Sequence, residues 1–290
     1  MTNQHNNINP TNSQQLVSQQ ELIPETRLEN YTFIEPIGKG GFGTVYKVKR
    51  KADNRLYAVK LLSRYDLEGK PRDKLILNEL LLWEEVEPNF PFITRIHSWY
   101  CTSLNFGIVL ELVEGGDLEH LVKWNQGITE NKAKRYATEV AEALEYLHRK
   151  KIIFRDLKLS NVLLTIDDHV KLTDFGLATK APTGLVHEMC GTHYAMAPEV
   201  LWGFPYTKAV DWWGLGVLMY EMVTARPPFN ECYGKSLEWN IKFSEVGFPP
   251  HISVPLRDVI ECLLRKHEED RPNRLKELMA HEFFQVTNLD

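Results

Sequence analysis

The chain has little cysteine, no long apolar run and no excess of positive charge. Its four cysteines, Cys101, Cys190, Cys232 and Cys262, are scattered through 290 residues. With no CxxC pair and no paired Cys/His spacing of a zinc ligand set, neither a disulfide framework nor a zinc site is expected, and a reducing compartment fits better. No stretch reaches the roughly 20 apolar residues of a membrane span, and the N-terminus lacks a basic start leading into an apolar segment. No membrane segment is expected, and the protein is expected to be intracellular, in cytoplasm and/or nucleus. Lys plus Arg number 34 against 39 Asp plus Glu, a net charge of −5. Nucleic-acid binding draws on clustered cations and counterion release, so nucleic acid is not expected as a partner. No internal repeat is present.

What is there divides the chain. Asn and Gln make up half of the first twenty residues. Such a segment buries too little to offset its ordering entropy, so residues 1–24 are expected to be disordered. The other reading is a docking arm that orders on a partner. From Tyr31 the pattern changes. Tyr31 and Phe33, then Val45, Tyr46 and Val48, predict two strands around a glycine-rich turn, and Leu56–Leu62 predicts a third. Lys74–Val86 reads as a helix with Leu77, Leu80, Leu81 and Val86 among its apolar positions. Arg95–Tyr100 and Phe106–Leu112 read as strands. After the breaker Glu114-Gly115-Gly116-Asp117 the helical signal dominates. Thr129 suits an N-cap, and Ala133, Ala137, Val140, Leu144 and Leu147 follow at helical spacing. Val210–Val223 and Leu256–Leu264 are further apolar helices.

Two groups of residues carry chemistry. Phe154-Arg155-Asp156-Leu157-Lys158-Leu159-Ser160-Asn161 sets an Asp, a Lys and an Asn close together, and Asp174-Phe175-Gly176 follows beyond the apolar Val162-Leu163-Leu164. Phosphoryl transfer needs a carboxylate near the attacking hydroxyl, a cation on the moving phosphate and oxygen ligands for magnesium. The bland alternative is a polar loop between apolar strands, with Asp174 as a turn former. Gly38-Lys39-Gly40-Gly41-Phe42-Gly43-Thr44-Val45 fits G-x-G-x-x-G-x-V, in which glycine lets backbone amides approach phosphate oxygens. A tight hairpin turn matches as well. A dinucleotide site shares the glycines but needs a helix where Val45-Tyr46-Lys47-Val48 reads as a strand. Taken alone, Lys60 in Ala58-Val59-Lys60 reads as a surface lysine, and Glu79 as part of a solvated helix face.

In combination these motifs resemble the eukaryotic protein kinase family over residues 31 to about 285. Lys158, two residues after Asp156, resembles the serine/threonine type. Phe154-Arg155-Asp156, Cys190-Gly191-Thr192, Asp211-Trp212-Trp213 and Phe90-Pro91-Phe92-Ile93 resemble the AGC group, which includes the cyclic-nucleotide-dependent kinases. The resemblance implies an α+β, bilobal fold, with a small β-rich N-lobe carrying one main helix and a larger, mainly helical C-lobe. Within a kinase domain at 31–290, the N-lobe spans about 31–111, the hinge 112–116 and the C-lobe 117–285. It implies ATP and Mg2+ as cofactors and proteins with Ser/Thr as substrates. By the same resemblance Asp156 receives or orients the substrate hydroxyl and Lys158 meets the γ-phosphate. Lys60 holds the α- and β-phosphates and is aimed by Glu79, while Asn161 and Asp174 hold the metal. The loop Gly38, Lys39, Gly40, Gly41, Phe42, Gly43, Thr44 covers the nucleotide. Val45, Ala58 and Leu163 clamp the adenine, Leu110 is the gatekeeper, and the backbones of Glu111 and Val113 bond the adenine edge. Asp117 and Thr173 complete the nucleotide site. Ile96, Trp83, Phe175 and Phe154 are expected in one apolar column, Glu199 of Ala-Pro-Glu is expected to pair with Arg271, and Asp211 to brace the catalytic loop.

The chain also departs from that pattern. Phe154 replaces His or Tyr and cannot hydrogen-bond near the metal loop. His193-Tyr194-Ala195-Met196 alters the segment that forms the +1 substrate pocket. The C-terminal tail of AGC kinases is expected to be missing after Phe283-Phe284, which leaves the small-lobe hydrophobic groove beside the Glu79 helix open or filled by a regulatory protein. Glu188 stands where an activating phosphothreonine is usual. Asp117 and Glu221 match acids that grip arginines upstream of the phosphorylated residue, whereas Ser160 stands where another acid is usual. The competing readings are a catalytically weak pseudokinase scaffold and a small-molecule phosphotransferase. The lysine and both aspartates are present, against the first. The intact activation segment closing at Glu199 disfavours the second.

Overall fold

The computed structural model describes residues 28–40, 43–65, 69–70, 72–231 and 234–285. The expected tail, Gly41, Phe42 and residues 286–290 lie outside them. Contacts divide the chain into two compact units. One takes the residues up to Arg64 together with His97–Leu110, and the other takes Tyr65–Ile96 together with Glu111 onward.

The first unit is a sheet. Strands β1 (Tyr31–Gly40), β2 (Gly43–Arg50), β3 (Leu56–Ser63), β4 (Ile96–Cys101) and β5 (Asn105–Glu111) lie in the order β1-β2-β3-β5-β4. β1–β2 and β2–β3 are antiparallel. β-Branched and aromatic residues suit such a half-buried pleated surface. Here Val48, Val59 and Val109 are fully buried among Tyr31, Tyr57 and Tyr100. Gly107 is fixed by this packing, because a Cβ there would fall 1.8 Å from the Tyr100 ring.

The second unit is mostly helical. It contains α1 (Asp73–Glu84), α2 (Leu118–Asn125), α3 (Glu130–Arg149), α4 (Pro198–Leu201), α5 (Ala209–Thr224), α6 (Leu237–Phe243), α7 (Val254–Leu263), α8 (Leu275–Met279) and α9 (Glu282–Gln285). The short pairs β6 (Ile152–Ile153) with β9 (Thr179–Lys180) and β7 (Val162–Leu164) with β8 (Val170–Leu172) hold the intervening loops. Thr129 caps α3 by accepting from Lys132 N at 3.4 Å, and the apolar stripe from Ala133 to Leu147 is buried. α5 is buried on every side from Ala209 to Val223. It is the post against which the others pack. Gly216 lets α7 come close, since a Cβ there would meet Leu263 at 2.8 Å. No helix among the described residues is long and apolar enough to cross a membrane.

α1 differs from expectation in one respect. Its buried face carries Ile76, Leu80, Leu82 and Trp83, while Leu81, expected inside, is 63% exposed. Trp83 decides the face. Its Nε1 donates to Thr94 O at 2.7 Å and its ring stacks on Phe175 at 5.0 Å. Leu81, two residues earlier, is rotated by about 200° from it. By its contacts α1 falls in the helical unit. The segment after it is held there by Glu87 N donating to Tyr146 Oη at 2.8 Å and by Phe90 stacking on Tyr146 at 4.0 Å.

Gly107→Ala is expected to destabilise the protein by about 1–3 kcal/mol through overpacking against Tyr100. Urea unfolding checks this, and a loss below about 0.5 kcal/mol, the range of neutral surface changes, would show that the ring moves aside freely.

Candidate active site

The loop after β6 is held from behind. Asp211, in the first turn of α5, is buried, and its carboxylate accepts from Phe154 N at 2.9 Å and from Arg155 N at 2.8 Å. His148 Nε2 lies 2.7 Å from the same carboxylate. These bonds hold Arg155 at φ 68°, a left-handed conformation that costs a non-glycine residue about 1–3 kcal/mol. Asp174 is held similarly at φ 69°. The Phe154 ring is fully buried and meets Phe175 edge-on at 5.6 Å, so Trp83, Phe175 and Phe154 form one aromatic stack. Ile96, expected in the same column, opens β4 and is half-buried.

Asp156 projects into a ring of donors. Thr192 gives Oδ1 both its backbone N–H, at 3.0 Å, and its hydroxyl, at 2.6 Å. Lys158 Nζ lies 2.8 Å from Oδ2 and donates to Thr192 Oγ1 at 3.0 Å. Asn161 Nδ2 donates to Asp156 O at 2.8 Å and to Oδ2 at 3.0 Å. With its amide nitrogen committed to Asp156, Asn161 turns its carbonyl oxygen the other way. Thr173 N donates to the backbone carbonyl of Asn161 at 3.0 Å, which ties the loop to the segment bearing Asp174. Gly176 N donates to Asp174 Oδ1 at 3.1 Å. An amide oxygen and a carboxylate are the hard ligands that Mg2+ takes beside phosphate oxygens, so this donor set fits that ion.

Other expected nucleotide residues fall in both units. Gly115 and Gly116 exchange backbone bonds with Leu164, and Asp117 pairs with Leu163, which sets the latter beside the chain leaving β5. Asp117 Oδ1 caps α2, accepting from His120 N at 2.8 Å. Glu111 N bonds Arg95 O at 3.0 Å, and its side chain accepts from Arg95 N at 2.7 Å and from Lys171 Nζ at 2.8 Å. In the sheet unit, Val45 pairs with Lys60, Lys47 with Ala58, and the β1–β2 hairpin closes from Gly38–Val45 through Lys39–Thr44 to Gly40–Gly43. Lys60, Ala58 and Leu110 are buried, and Glu79 is buried on α1 in the other unit. Among the described glycines of this loop, only Gly43 is sterically obligatory, since its Cβ would stand 1.9 Å from Leu61 O, whereas Gly40 faces open space. A strand, not a helix, follows these glycines, which removes the dinucleotide alternative.

The segment from Asp174 to Glu199 is pinned at several points. Arg155, 7% exposed, donates from Nε to Leu177 O at 2.6 Å and from Nη1 to Tyr206 Oη at 3.1 Å. The same Nη1 reaches Glu188 Oε2 at 3.0 Å. Tyr206 Oη donates to Glu188 O at 2.6 Å, and Val186 pairs with Tyr206 through two backbone bonds. Glu199 is clamped by Arg271 Nη1 and Nη2 at 2.6 and 2.8 Å, both side chains buried. Glu221, on α5, is different. Its Oε2 is buried without a hydrogen-bond partner among the described residues. Burial, with Glu119 adding repulsion and Lys123 opposing, pushes its carboxyl up to about 8.

Thr192, His148 and Tyr206 escaped the sequence reading as site residues. Thr192 had a signal, since it ends Cys190-Gly191-Thr192. His148 looks like one polar residue at the end of an amphipathic helix, and Tyr206 had no signal.

A protein kinase domain model matches residues 31–284. RAC-beta serine/threonine-protein kinase A of Xenopus laevis is 36% identical over 271 residues, covering 91% of this chain and 55% of that protein. Serine/threonine-protein kinase Sgk1-A of Xenopus laevis is 34% identical over 296 residues, covering 100% and 68%. Serine/threonine-protein kinase Sgk1 of Danio rerio is 36% identical over 290 residues, covering 97% and 66%. The chain thus spans about half the length of the first of these relatives and about two thirds of the others. With the Asp156 loop, the Asp174 turn and the Glu199–Arg271 clamp in one fold, and a domain match from Tyr31 to Phe284, this chain belongs to the protein kinase family, and it resembles the serine/threonine kinases of the AGC group.

Proposed function

We propose that the chain transfers the γ-phosphoryl group of ATP to Ser/Thr hydroxyls of protein substrates in a magnesium-dependent reaction. The observation that carries this is the Asp156 carboxylate, held by Thr192, Lys158 and Asn161 with every partner in place. Asp156 orients the acceptor hydroxyl and takes up its proton. Lys158, already beside that carboxylate, stabilises charge on the transferring group. Lys60, in the sheet unit with the Gly38–Val45 hairpin, positions the nucleotide phosphates. Asn161 and Asp174 are the residues that would hold magnesium, which when bound neutralises phosphate oxygens. Catalysis on this reading is placement and electrostatics, with little covalent chemistry for the protein to perform. An intracellular site of action belongs to the same reading, supported by Cys190 and Cys262, which form no disulfide among the described residues. So does a regulatory protein beside α1, supported by the exposed Leu75 and Leu81 of that helix.

Two finer features follow. The first is a built-in activation-segment acid. Glu188 offers one negative charge to Arg155, where a phosphate would offer about 1.5–2 charges and more acceptor oxygens. The carboxylate is 73% exposed, so water weakens the pair, and ordering of the segment is partial but permanent. The second is a preference for Arg at −3, weaker than the group's norm. Asp117 is partly spent on its cap and Ser160 supplies no charge, so Glu221 is left as the main acid. A guanidinium entering beside Glu221 favours its ionised form and so displaces a proton.

Asp156→Ala is expected to leave nucleotide affinity nearly unchanged and to lower peptide phosphorylation by about 10²–10⁴-fold. Unchanged turnover would revive the scaffold reading. For the substrate, a peptide with Arg at −3 is expected to outperform its Ala counterpart. The advantage grows as pH rises from 6.5 to 8.5, by about tenfold, because deprotonating a carboxyl near pH 8 ceases to oppose binding. Equal rates for the two peptides, or an advantage that shrinks with rising pH, would discard Glu221 as the acid. For the segment, phosphatase-treated protein is expected to keep substantial activity that drops in Glu188→Ala. Activity abolished by phosphatase, or indifferent to Glu188→Ala, sinks the built-in acid.

A further inference from the structure

A cavity of about 670 Å³ lies in the helical unit, between the segment after α6, helix α7 and His281, and none of the site residues above lines it. Lys266, just past α7, does line it and is half-buried. Its Nζ stands 4.2 Å from the centre of the Phe229 ring and 5.3 Å from that of Trp213, and these two rings stack on each other at 5.8 Å. Nζ also donates to Ile241 O at 2.7 Å. No carboxylate among the described residues pairs with it. The charge that acts on it is Arg271, whose guanidinium lies 5.0 Å over the same Trp213 ring and whose Nη2 donates to Lys266 O at 3.3 Å. Burial, with repulsion from Arg271, pushes the Lys266 ammonium down to about 8. At pH 7.4 about a fifth of it is then free amine, against about one part in a thousand for an ordinary lysine. Phosphoryl transfer as described above makes no use of this residue.

A desolvated lysine beside a second cation is the arrangement that makes an amine nucleophilic toward carbonyl groups. The cavity gives a small carbonyl compound room to reach it. We propose that Lys266 is a covalent site for small neutral aldehydes, which it takes as a Schiff base. The free amine attacks the carbonyl carbon and a C–N bond forms. The carbonyl oxygen leaves as water with both amine hydrogens, and a proton from solvent then gives the iminium. No oxidant or reductant enters this step. Two observations select aldehydes over acyl donors. The first is the pair of rings. An iminium keeps positive charge over Phe229 and Trp213, whereas an amide abolishes it and the cation–π contact with it. The second is the charge around the cavity. Acyl phosphates and coenzyme A thioesters are anions, and three exposed acids, Glu245, Asp258 and Glu261, line the cavity without an ion pair among the described residues. Against them stand Arg265, which spends Nη1 on Asp270 O, and His281, whose Nδ1 accepts from Phe283 N. The mouth therefore repels anions and admits neutral molecules.

The probe is benzaldehyde on the full chain at pH 7.4, with sodium cyanoborohydride to reduce the imine to a stable secondary amine. Digestion and mass spectrometry read the labelling rate at each lysine. Lys266 is expected to react at least about tenfold faster than the exposed Lys49, Lys151 and Lys276. In guanidinium chloride strong enough to unfold the chain, that preference is expected to vanish. 4-Carboxybenzaldehyde, an anion of similar shape, is expected to show a preference for Lys266 over the exposed lysines that is at least about threefold smaller. Glu245→Gln/Glu261→Gln is expected to erase this difference between the two aldehydes. Both glutamates are exposed, so the fold is expected to survive, which circular dichroism checks. Acetyl phosphate is expected to acetylate Lys266 no faster than the exposed lysines. Benzaldehyde labelling of Lys266 at the rate of the exposed lysines overturns the site. So does a preference that survives unfolding, because it then belongs to local sequence and not to the cavity. Preferential acetylation of Lys266 overturns the aldehyde class, in favour of an acylation site. A difference between the two aldehydes that persists in the double variant overturns the selection of neutral molecules by the acids.

Discussion

The buried carboxylate of Asp211 is the constraint on which the site depends. Removing a carboxylate from water is costly unless its lone pairs are used, and here two backbone amides and His148 use them. In return the loop after β6 is fixed where it would otherwise relax, with Arg155 left-handed. Two side chains are aimed as a consequence. Asp156 turns toward Thr192, Lys158 and Asn161, and Arg155 turns toward Leu177, Tyr206 and Glu188. α5 supplies the rigid frame because its surroundings are apolar on all sides, so Asp211 has no alternative solvent to move into.

Arg155 extends that constraint into the Asp174–Glu199 segment. Its guanidinium bonds a backbone carbonyl, a phenol and a carboxylate. The first two bonds are partly buried and the third is exposed. The two buried contacts position the arginine, and the third sets how tightly the segment follows. At its far end, the bidentate Glu199–Arg271 pair anchors the segment to the base of α5 through Ala209 O. Breaking one member of such a pair leaves an uncompensated buried charge, which is why the anchor is stiff even though the pair adds little net stability.

Much of this was legible in the chain, for physical reasons that differ by element. α3 announces itself through Thr129 and a 3–4 stripe, and α5 through unbroken apolarity. The Asp156–Asn161 spacing marks the loop after β6, because the phosphate chemistry proposed for it calls for those residue types together. Legibility failed where one side chain outvotes its neighbours. On α1 the indole of Trp83 sets the buried face, so Leu81 is displaced outward although local apolarity favoured it. It failed also for contacts far apart in sequence. Nothing near His148 or Tyr206 reveals that Asp211, 63 residues on, or Glu188 will meet them. The glycine loop shows the opposite limit. Its pattern predicted close phosphate approach, yet Gly43 is required first by Leu61 O of the neighbouring strand, and the motif serves the sheet as well as any ligand.

Four carboxylates in the helical unit show how environment, not residue type, assigns the roles. Asp211 is buried and saturated with donors, so it braces. Asp156 is surrounded by donors from a hydroxyl, an ammonium and two amide N–H groups, yet its side chain keeps some exposure to water, as the proposed role in meeting an acceptor hydroxyl requires. Glu188 is in water with a single guanidinium, so its hold is partial. Glu221 is buried with an oxygen that no described group satisfies, and burial raises its affinity for a proton. An unsatisfied buried acceptor costs about 1–3 kcal/mol of stability. A fold that retains one on its central helix, where an apolar side chain would pack at no such cost, keeps a defect that a cationic partner would relieve. On the function proposed above, an arginine of the substrate is such a partner.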